Sequence, residues 1–382
     1  MTKNAKAAAR EASRRRSELV PQLAEYRDLG TVFWPLVTSA SRPNATGTVV
    51  NTDSRGHRVT RVDGETARSD AAGDGAAFLL GSSFSFGVGA SDDSQTIAAE
   101  LWRRTGVPYV NLAVRAGTST QELIAALPFA DRRTTFVVCS GLNNLAAAGL
   151  DYFLAERGRR VDPLFGPMYD EGHIHTLTGF AIPRLARLAD DPVGALGDGA
   201  LRSELRKRRR ARLRRRLRPV RRLAKRIRGR FARRLAPARA RLPADMPEEL
   251  FDEVVAEAAT RQLRDLRHLR RLVPGEARVV FGLQPTAWAT TKEWSPEEVE
   301  LFDVLDQIQP LRWKRLKHLL DTRWTSYAAM LEQGCSEGGV PFVDLSRGEY
   351  SGWCFVDRIH MTDRGYETAA AVLEEVLTDA AR

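Results

Sequence analysis

Apolar runs and amphipathic stretches alternate along most of the chain. Phe78-Leu79-Leu80 is an unbroken apolar run that ends in Gly81-Ser82-Ser83-Phe84-Ser85-Phe86-Gly87. Runs of this kind, bounded by Gly and Ser, predict strands buried on both faces. Residues 92–105 follow with Ile97, Leu101 and Trp102 at helical spacing, then a strand at Tyr109-Val110-Asn111-Leu112-Ala113, a turn at 115–119 and a helix over 120–127. Thr135-Phe136-Val137-Val138-Cys139 predicts a third strand, stopped at Ser140-Gly141-Leu142-Asn143-Asn144. After a long interruption the pattern resumes with a charged helix over 247–272 and a strand at Arg278-Val279-Val280-Phe281-Gly282-Leu283-Gln284. Ser295-Pro296-Glu297-Glu298 then opens a helix with a capping residue, a proline in first position and acids in the first turn. A helix over 313–335, a fifth strand at Pro341-Phe342-Val343-Asp344-Leu345 and a helix over 362–377 complete the series. Short strand and helix alternation predicts an α/β fold: a three-layer α/β/α sandwich with a flavodoxin-like parallel sheet of about five strands and a long basic helical insertion.

Before this core, residues 3–24 read as a basic helix, an apolar patch surrounds Phe33-Trp34-Pro35-Leu36, and residues 51–64 read as a hairpin turned at Gly56 and Asp63-Gly64. The expected organisation is an N-terminal helical and hairpin extension (1–70), a core domain (71–150 and 273–382) and an insertion (151–272).

Charge changes this picture in one place. The chain of 382 residues carries a net charge of +11, yet residues 202–241 hold 21 lysines and arginines against Glu204 alone. That stretch carries +20 and the remainder −9, so basicity belongs to the insertion and not to the fold. Leu213, Leu217, Val220, Leu223, Ile227, Phe231 and Leu235 recur in it at three or four residues, an amphipathic pattern interrupted at Pro219 and Gly229. Such a stretch from Arg202 to Arg241 suits an anionic membrane surface or an acidic carrier, or an apolar stripe packed back on the domain. With Phe231 as its single aromatic it is poorly equipped to stack nucleic-acid bases. Cys139, Cys335 and Cys354 form neither a disulfide framework nor a metal-ligand spacing. With no secretory leader pattern in residues 1–25 and no membrane-spanning run, the expectation is a cytoplasmic protein, with peripheral membrane attachment open through the basic stretch.

The candidate chemistry sits where predicted strands end. In a parallel sheet these ends share one edge, so Ser83, the turn at Ala116 and Gly117, and Asn143 converge there. A Ser hydroxyl needs a base, which His360 can supply, and Asp357 three residues earlier can hold the other imidazole nitrogen. The backbone amides of Ser83 and of Ala116 or Gly117, with the Asn143 side chain, are the candidate donors to an oxyanion. The sequence resembles the SGNH (GDSL-type) hydrolase family, whose blocks carry Ser, Gly, Asn and His in that order. Gly81-Ser82-Ser83 with Gly87 matches the first block, Gly141-Leu142-Asn143-Asn144 the third and Asp357-Arg358-Ile359-His360 the last. In the second block the family's oxyanion Gly falls on Ala116, with Gly117 one place later; Ser82 and Asn144 stand where the family has Asp.

The resemblance implies a serine esterase or acyltransferase without a cofactor, acting on a small-molecule or lipid-like ester or thioester through acyl-Ser83. From a different class, the departures at Ser82, Ala116 and Asn144 also suit a catalytically degenerate binding protein that works through its Arg-rich stretch on an anionic partner. Other motifs fail on spacing. Ser85 occupies the place of the second Gly of a nucleophile elbow. No Lys follows Gly87 as a phosphate loop requires. His173 and His175 lack a third metal ligand.

Overall fold

A computed structural model describes residues 3–32, 40–155, 248–308 and 310–379. The Arg-rich stretch, His173, His175 and the patch around Phe33 to Leu36 lie outside the described residues. In chain order the strands are β1 (Thr31–Val32), β2 (Ala40–Ser41), β3 (Thr60–Val62), β4 (Glu65–Ala67), β5 (Ala77–Gly81), β6 (Tyr109–Asn111), β7 (Thr135–Ser140), β8 (Arg278–Leu283) and β9 (Phe342–Asp344). The helices are α1 (Lys3–Leu19), α2 (Leu23–Asp28), α3 (Ser83–Phe86), α4 (Ile97–Thr105), α5 (Ser119–Ala126), α6 (Leu142–Ala155), α7 (Phe251–Leu272), α8 (Pro296–Ile308), α9 (Pro310–Glu337) and α10 (Asp363–Asp379).

Five parallel strands form the central sheet in the order β6-β5-β7-β8-β9. Numbered by appearance in the sheet this is 2-1-3-4-5, the flavodoxin-like order, whose topological switch point lies between the first and third strands. The helix-flanked parallel sheet of five strands expected from the sequence is therefore the one observed, while the basic helical insertion lies outside the described residues. Because helices cover both faces, the strands are apolar throughout: Phe78, Leu79, Leu80, Phe136, Val137, Val280 and Phe281 are all essentially inaccessible. Helices α4 and α10 pack together, while α7 packs with α5, α6 and α9.

Local chemistry moves three expected boundaries. The helix expected from residue 92 starts at Ile97, because Asp92 accepts hydrogen bonds from the Ser94 amide and hydroxyl (2.6 Å each) and closes a turn, leaving Thr96 to cap the helix through Ala99. The Gly-Ser turn after β5 contains a one-turn helix, α3, ended by Gly87 at φ 84° with its amide on the Phe84 carbonyl. The N-terminal hairpin is β3–β4, turned at Asp63-Gly64, and the Gly56 turn before it is closed by a bridge between Thr52 and Arg58. The Ser295 cap forms as expected: its amide donates to the Glu298 carboxylate (2.8 Å) and its hydroxyl accepts from the Glu298 amide (3.4 Å).

Residues of the extension pack directly on the sheet domain. Tyr26, Leu29, Ala45, Val49 and Val50 form one apolar cluster with Phe86 and Ala113, and Val20 joins Leu301 and Val356 in another. Among the described residues no helix is long and apolar enough to cross a membrane, and the three cysteines are buried and unpaired.

Candidate active site

Three serines follow β5, and only one is left facing outward. Ser82 is buried and donates to the Gln284 side chain (3.1 Å), while Ser85 is buried and donates to the Cys139 carbonyl (2.6 Å). Ser83 is half-buried at the start of α3. Gly81 makes this exit from the sheet feasible: at φ 144° a side chain would collide with the Cys139 carbonyl and the Ser85 hydroxyl. The far end of α3 is tied down from the extension. Arg58, fully buried, donates to the carbonyls of Phe86 (3.1 Å) and Gly87 (2.8 Å), to Val49 (2.8 Å) and to Asp93 (3.0 Å). The Tyr26 hydroxyl lies 2.8 Å from both the Gly87 and Ala90 carbonyls. A buried Arg–Asp pair is tolerable because carbonyls satisfy the remaining guanidinium donors.

On the other side of the site, residues 354–362 form a tight loop. Thr362 donates its amide to the Cys354 carbonyl (2.9 Å) and Val356 donates to His360 (3.0 Å). Glu298 of α8 accepts both the Cys354 and Phe355 amides (2.9 Å each), and Arg358 pairs bidentately with Asp306 (2.8 Å each). Within this frame Asp357 Oδ1 accepts the amides of Ile359 (3.0 Å) and His360 (2.9 Å), and Oδ2 accepts His360 Nδ1 (2.8 Å) and Arg16 Nη2 (3.2 Å). His360 Nε2 lies 2.8 Å from Ser83 Oγ.

Burial pushes the Asp357 carboxyl up, but the His360 imidazole, the Arg16 guanidinium and the Ile359 amide together outweigh it and bring the group down to about 2. Asp357 is therefore an ionised acceptor at neutral pH. An acceptor at Nδ1 puts the imidazole proton there, which leaves Nε2 to accept the Ser83 proton. The arrangement can thus take a proton from a serine hydroxyl and return it to a leaving group.

The turn after β6 approaches from a third side. Arg115 fixes it by donating to the Tyr26 carbonyl (2.7 Å), the Gly30 carbonyl (2.6 Å) and the Ser41 hydroxyl (3.1 Å). Asn111, fully buried, donates to the Ser85 carbonyl (2.8 Å) and so couples this turn to α3. Of the two amides offered from the sequence as oxyanion donors, that of Gly117 closes the turn onto the Val114 carbonyl (2.9 Å), which removes it from the donor set. Ala116 takes the left-handed conformation, φ 60°. The Asn143 side chain donates to the Gly117 carbonyl (2.8 Å), which fixes its amide beside the same turn.

Of the three departures from the family's blocks, those at Ser82 and Asn144 have a local explanation. Ser82 bonds Gln284, and Asn144 joins a buried cluster, accepting from the Ser119 amide (3.1 Å) and donating to the Ser119 hydroxyl and the Gln262 side-chain Oε1 (2.9 Å each). Neither enters the Ser83–His360–Asp357 chain. Sequence reasoning missed what Arg16, Arg58, Asn111 and Glu298 do at the site, where their bonds to Asp357, the Phe86 carbonyl, the Ser85 carbonyl and the Cys354 amide span from 26 to 341 residues. No local pattern marks such residues.

No protein-family model matches the sequence, and no curated protein matches it significantly. Among solved structures it is similar to a carbohydrate acetylesterase family member from Sinorhizobium meliloti, at 8% identity and a TM-score of 0.37 over 80% of this chain and 98% of that one. An extracellular lipase from Streptomyces rimosus gives 15% identity and a TM-score of 0.33 over 80% and 99%. Phospholipase A1 from Streptomyces albidoflavus gives 11% and 0.34 over 80% and 98%.

Proposed function

We propose that this chain is an SGNH-type serine hydrolase that acts on an ester or thioester through a covalent acyl-Ser83 intermediate. The observation that carries this reading is the unbroken hydrogen-bond chain from Ser83 Oγ through His360 to an Asp357 carboxylate held ionised. Ser83 Oγ attacks the carbonyl carbon as its proton passes to His360 Nε2. The tetrahedral oxyanion collapses, the bond to the leaving alcohol or thiol breaks, and His360 returns the proton to that group. Water, or an acceptor alcohol or amine, then attacks the acyl carbon as His360 takes its proton; the second tetrahedral oxyanion collapses, the bond to Ser83 Oγ breaks, and His360 returns the proton to Ser83. The Ser83 and Ala116 amides and the second N–H of the Asn143 side chain are the donors assigned to the oxyanion. Of Ser82, Ala116 and Asn144, which on sequence alone also suited a degenerate binding protein, Ser82 and Asn144 are used elsewhere in hydrogen bonds and Ala116 turns the chain in the left-handed conformation.

The test is steady-state turnover of a small neutral nitrophenyl ester. Ser83→Ala and His360→Ala should each lower kcat by several orders of magnitude, and the double variant should lose little more, because nucleophile and base act as one unit. Full turnover in either single variant would remove the assignment.

A further inference from the structure

The extension supplies a side chain to the acid of the site. Three consecutive arginines of α1 have different fates. Arg14 pairs with Glu11 and Glu18 on its own helix, and Arg15 pairs with Glu300 of α8, all at exposed positions. Arg16 turns inward to Asp357, with side-chain exposures of 31% and 7% for the two partners. The helix is anchored at this spot by the contact of Val20 with Leu301 and Val356, the residue just before Asp357. Gln22 adds a bond to the Gly89 carbonyl (3.0 Å) on the other side of α3.

From this geometry we infer that Arg16 is a positioning residue of the hydrolase site: it shares the Asp357 carboxylate with His360 and thereby sets the pH at which the imidazole takes up its proton. The inference rests on the hydrolase reading above. Asp357 Oδ2 serves both cations, 2.8 Å from His360 Nδ1 and 3.2 Å from Arg16 Nη2. A fixed positive charge on the same oxygen disfavours a second cation there, which is what the imidazolium would be. Other charged groups around the pair are committed elsewhere. Arg358, in the same loop, is paired with Asp306, and Glu298 of α8 with Lys292 and two loop amides. Tyr366 of α10 donates its hydroxyl to the Val88 carbonyl (2.9 Å), and from α3 the facing group is Ser83 itself. Arg16 is thus the cation placed to tune the acid–base pair. Docking of α1 on α8 becomes a requirement for the full profile.

The experiment follows His360 directly, by NMR titration of the full-length protein labelled at histidine Cε1, in parallel with the pH dependence of inactivation by a fluorophosphonate. The variants are Arg16→Gln, Arg16→Lys and, on the same helix without contact to Asp357, Arg15→Gln. Arg16→Gln should raise the His360 midpoint by about one pH unit, the low end for a partly exposed charge at this range, and move the acidic limb of inactivation with it. Arg16→Lys should restore both, and Arg15→Gln should leave both in place. An unmoved midpoint in Arg16→Gln, or an equal shift in Arg15→Gln, overturns the inference. Arg16→Met, which keeps the apolar stem, replaces Arg16→Gln should that variant not fold. A midpoint that moves as expected in protein that never labels at Ser83 would uphold the Arg16 coupling and sink the hydrolase reading instead.

Discussion

Asn143 and Asn144 are neighbours in the chain, yet they belong to two polar regions with opposite electrostatics. Asn143 faces the open edge of the sheet, where Asp357, buried, is held ionised at about 2 by His360, Arg16 and backbone amides that outweigh burial. Asn144 turns beneath α5 into a closed cluster with Ser119 and Gln262, next to Ser140 and Glu122. Burial dominates at Glu122; the Ser140 hydrogen bond (2.9 Å) and the Gln262 side chain oppose it, nearby Asp265 adds to it, and the carboxyl is pushed up to about 8. Two buried acids of the same chemistry thus end on opposite sides of neutrality. What separates them is the supply of cations and amides, which the open edge has and the cluster lacks. The first arrangement can hold an imidazolium; the second is a neutral brace under β7.

The largest expected effect breaks the open region. Asp357→Asn should lower ester turnover by about three to four orders of magnitude, since the amide favours the wrong imidazole tautomer, while far-UV circular dichroism stays unchanged. Glu122→Gln should leave turnover within a few-fold. Equal loss from both would erase the distinction between the regions. Next comes the asparagine pair. Asn143→Ala should cost about 3 kcal/mol in the kcat barrier if its amide donates to the oxyanion. Asn144→Ala should spare the barrier and instead lower stability by about 1–3 kcal/mol in urea unfolding, because Ser119 and Gln262 lose a buried partner.

The pH dependence of stability sharpens the comparison further. Glu122 has its folded value raised, so its contribution is fully present below about pH 4, where both states are protonated, and declines as pH climbs to about 8. Asp357 has its value depressed, so its contribution is present above about pH 4 and is lost as pH falls through about 2. Glu122→Gln should therefore flatten the decline between pH 5 and 8, by on the order of 2–4 kcal/mol at the alkaline end. Urea midpoints measured across this range check it; a decline that persists in the variant places its origin elsewhere. The smallest effect belongs to Ala116→Gly. It removes roughly 1 kcal/mol of left-handed strain and adds a comparable entropy to the unfolded chain, so calorimetric stability should change by less than about 1 kcal/mol.

The sheet was legible because each of its strands is a short apolar run cut off by Gly, Ser or Pro, and burial on both faces requires that composition. Ser83, Asn143, Asp357 and His360 were legible as candidates because a parallel sheet delivers its strand ends to one edge. The one-turn helix at Ser83 was hidden, since Ser-Phe-Ser-Phe has no helical period and takes its shape from Gly87, Arg58 and Tyr26. Arg16 looked like one charge in a basic run. Its role depends on a partner 341 residues away and on the way Val20 seats the helix, neither of which leaves a local mark. Glu122 was equally silent: a helical glutamate is ordinarily solvated, and only tertiary packing buries it.

The central claim is that Ser83 is the nucleophile, activated by His360 across 2.8 Å. Its most direct measurement is intact-mass and peptide-level mass spectrometry after brief exposure to a fluorophosphonate. The account predicts one adduct per chain, carried by the peptide containing Ser83, absent in Ser83→Ala and formed orders of magnitude more slowly in His360→Ala. An adduct of equal yield in Ser83→Ala, or no adduct on the unsubstituted chain, would contradict it.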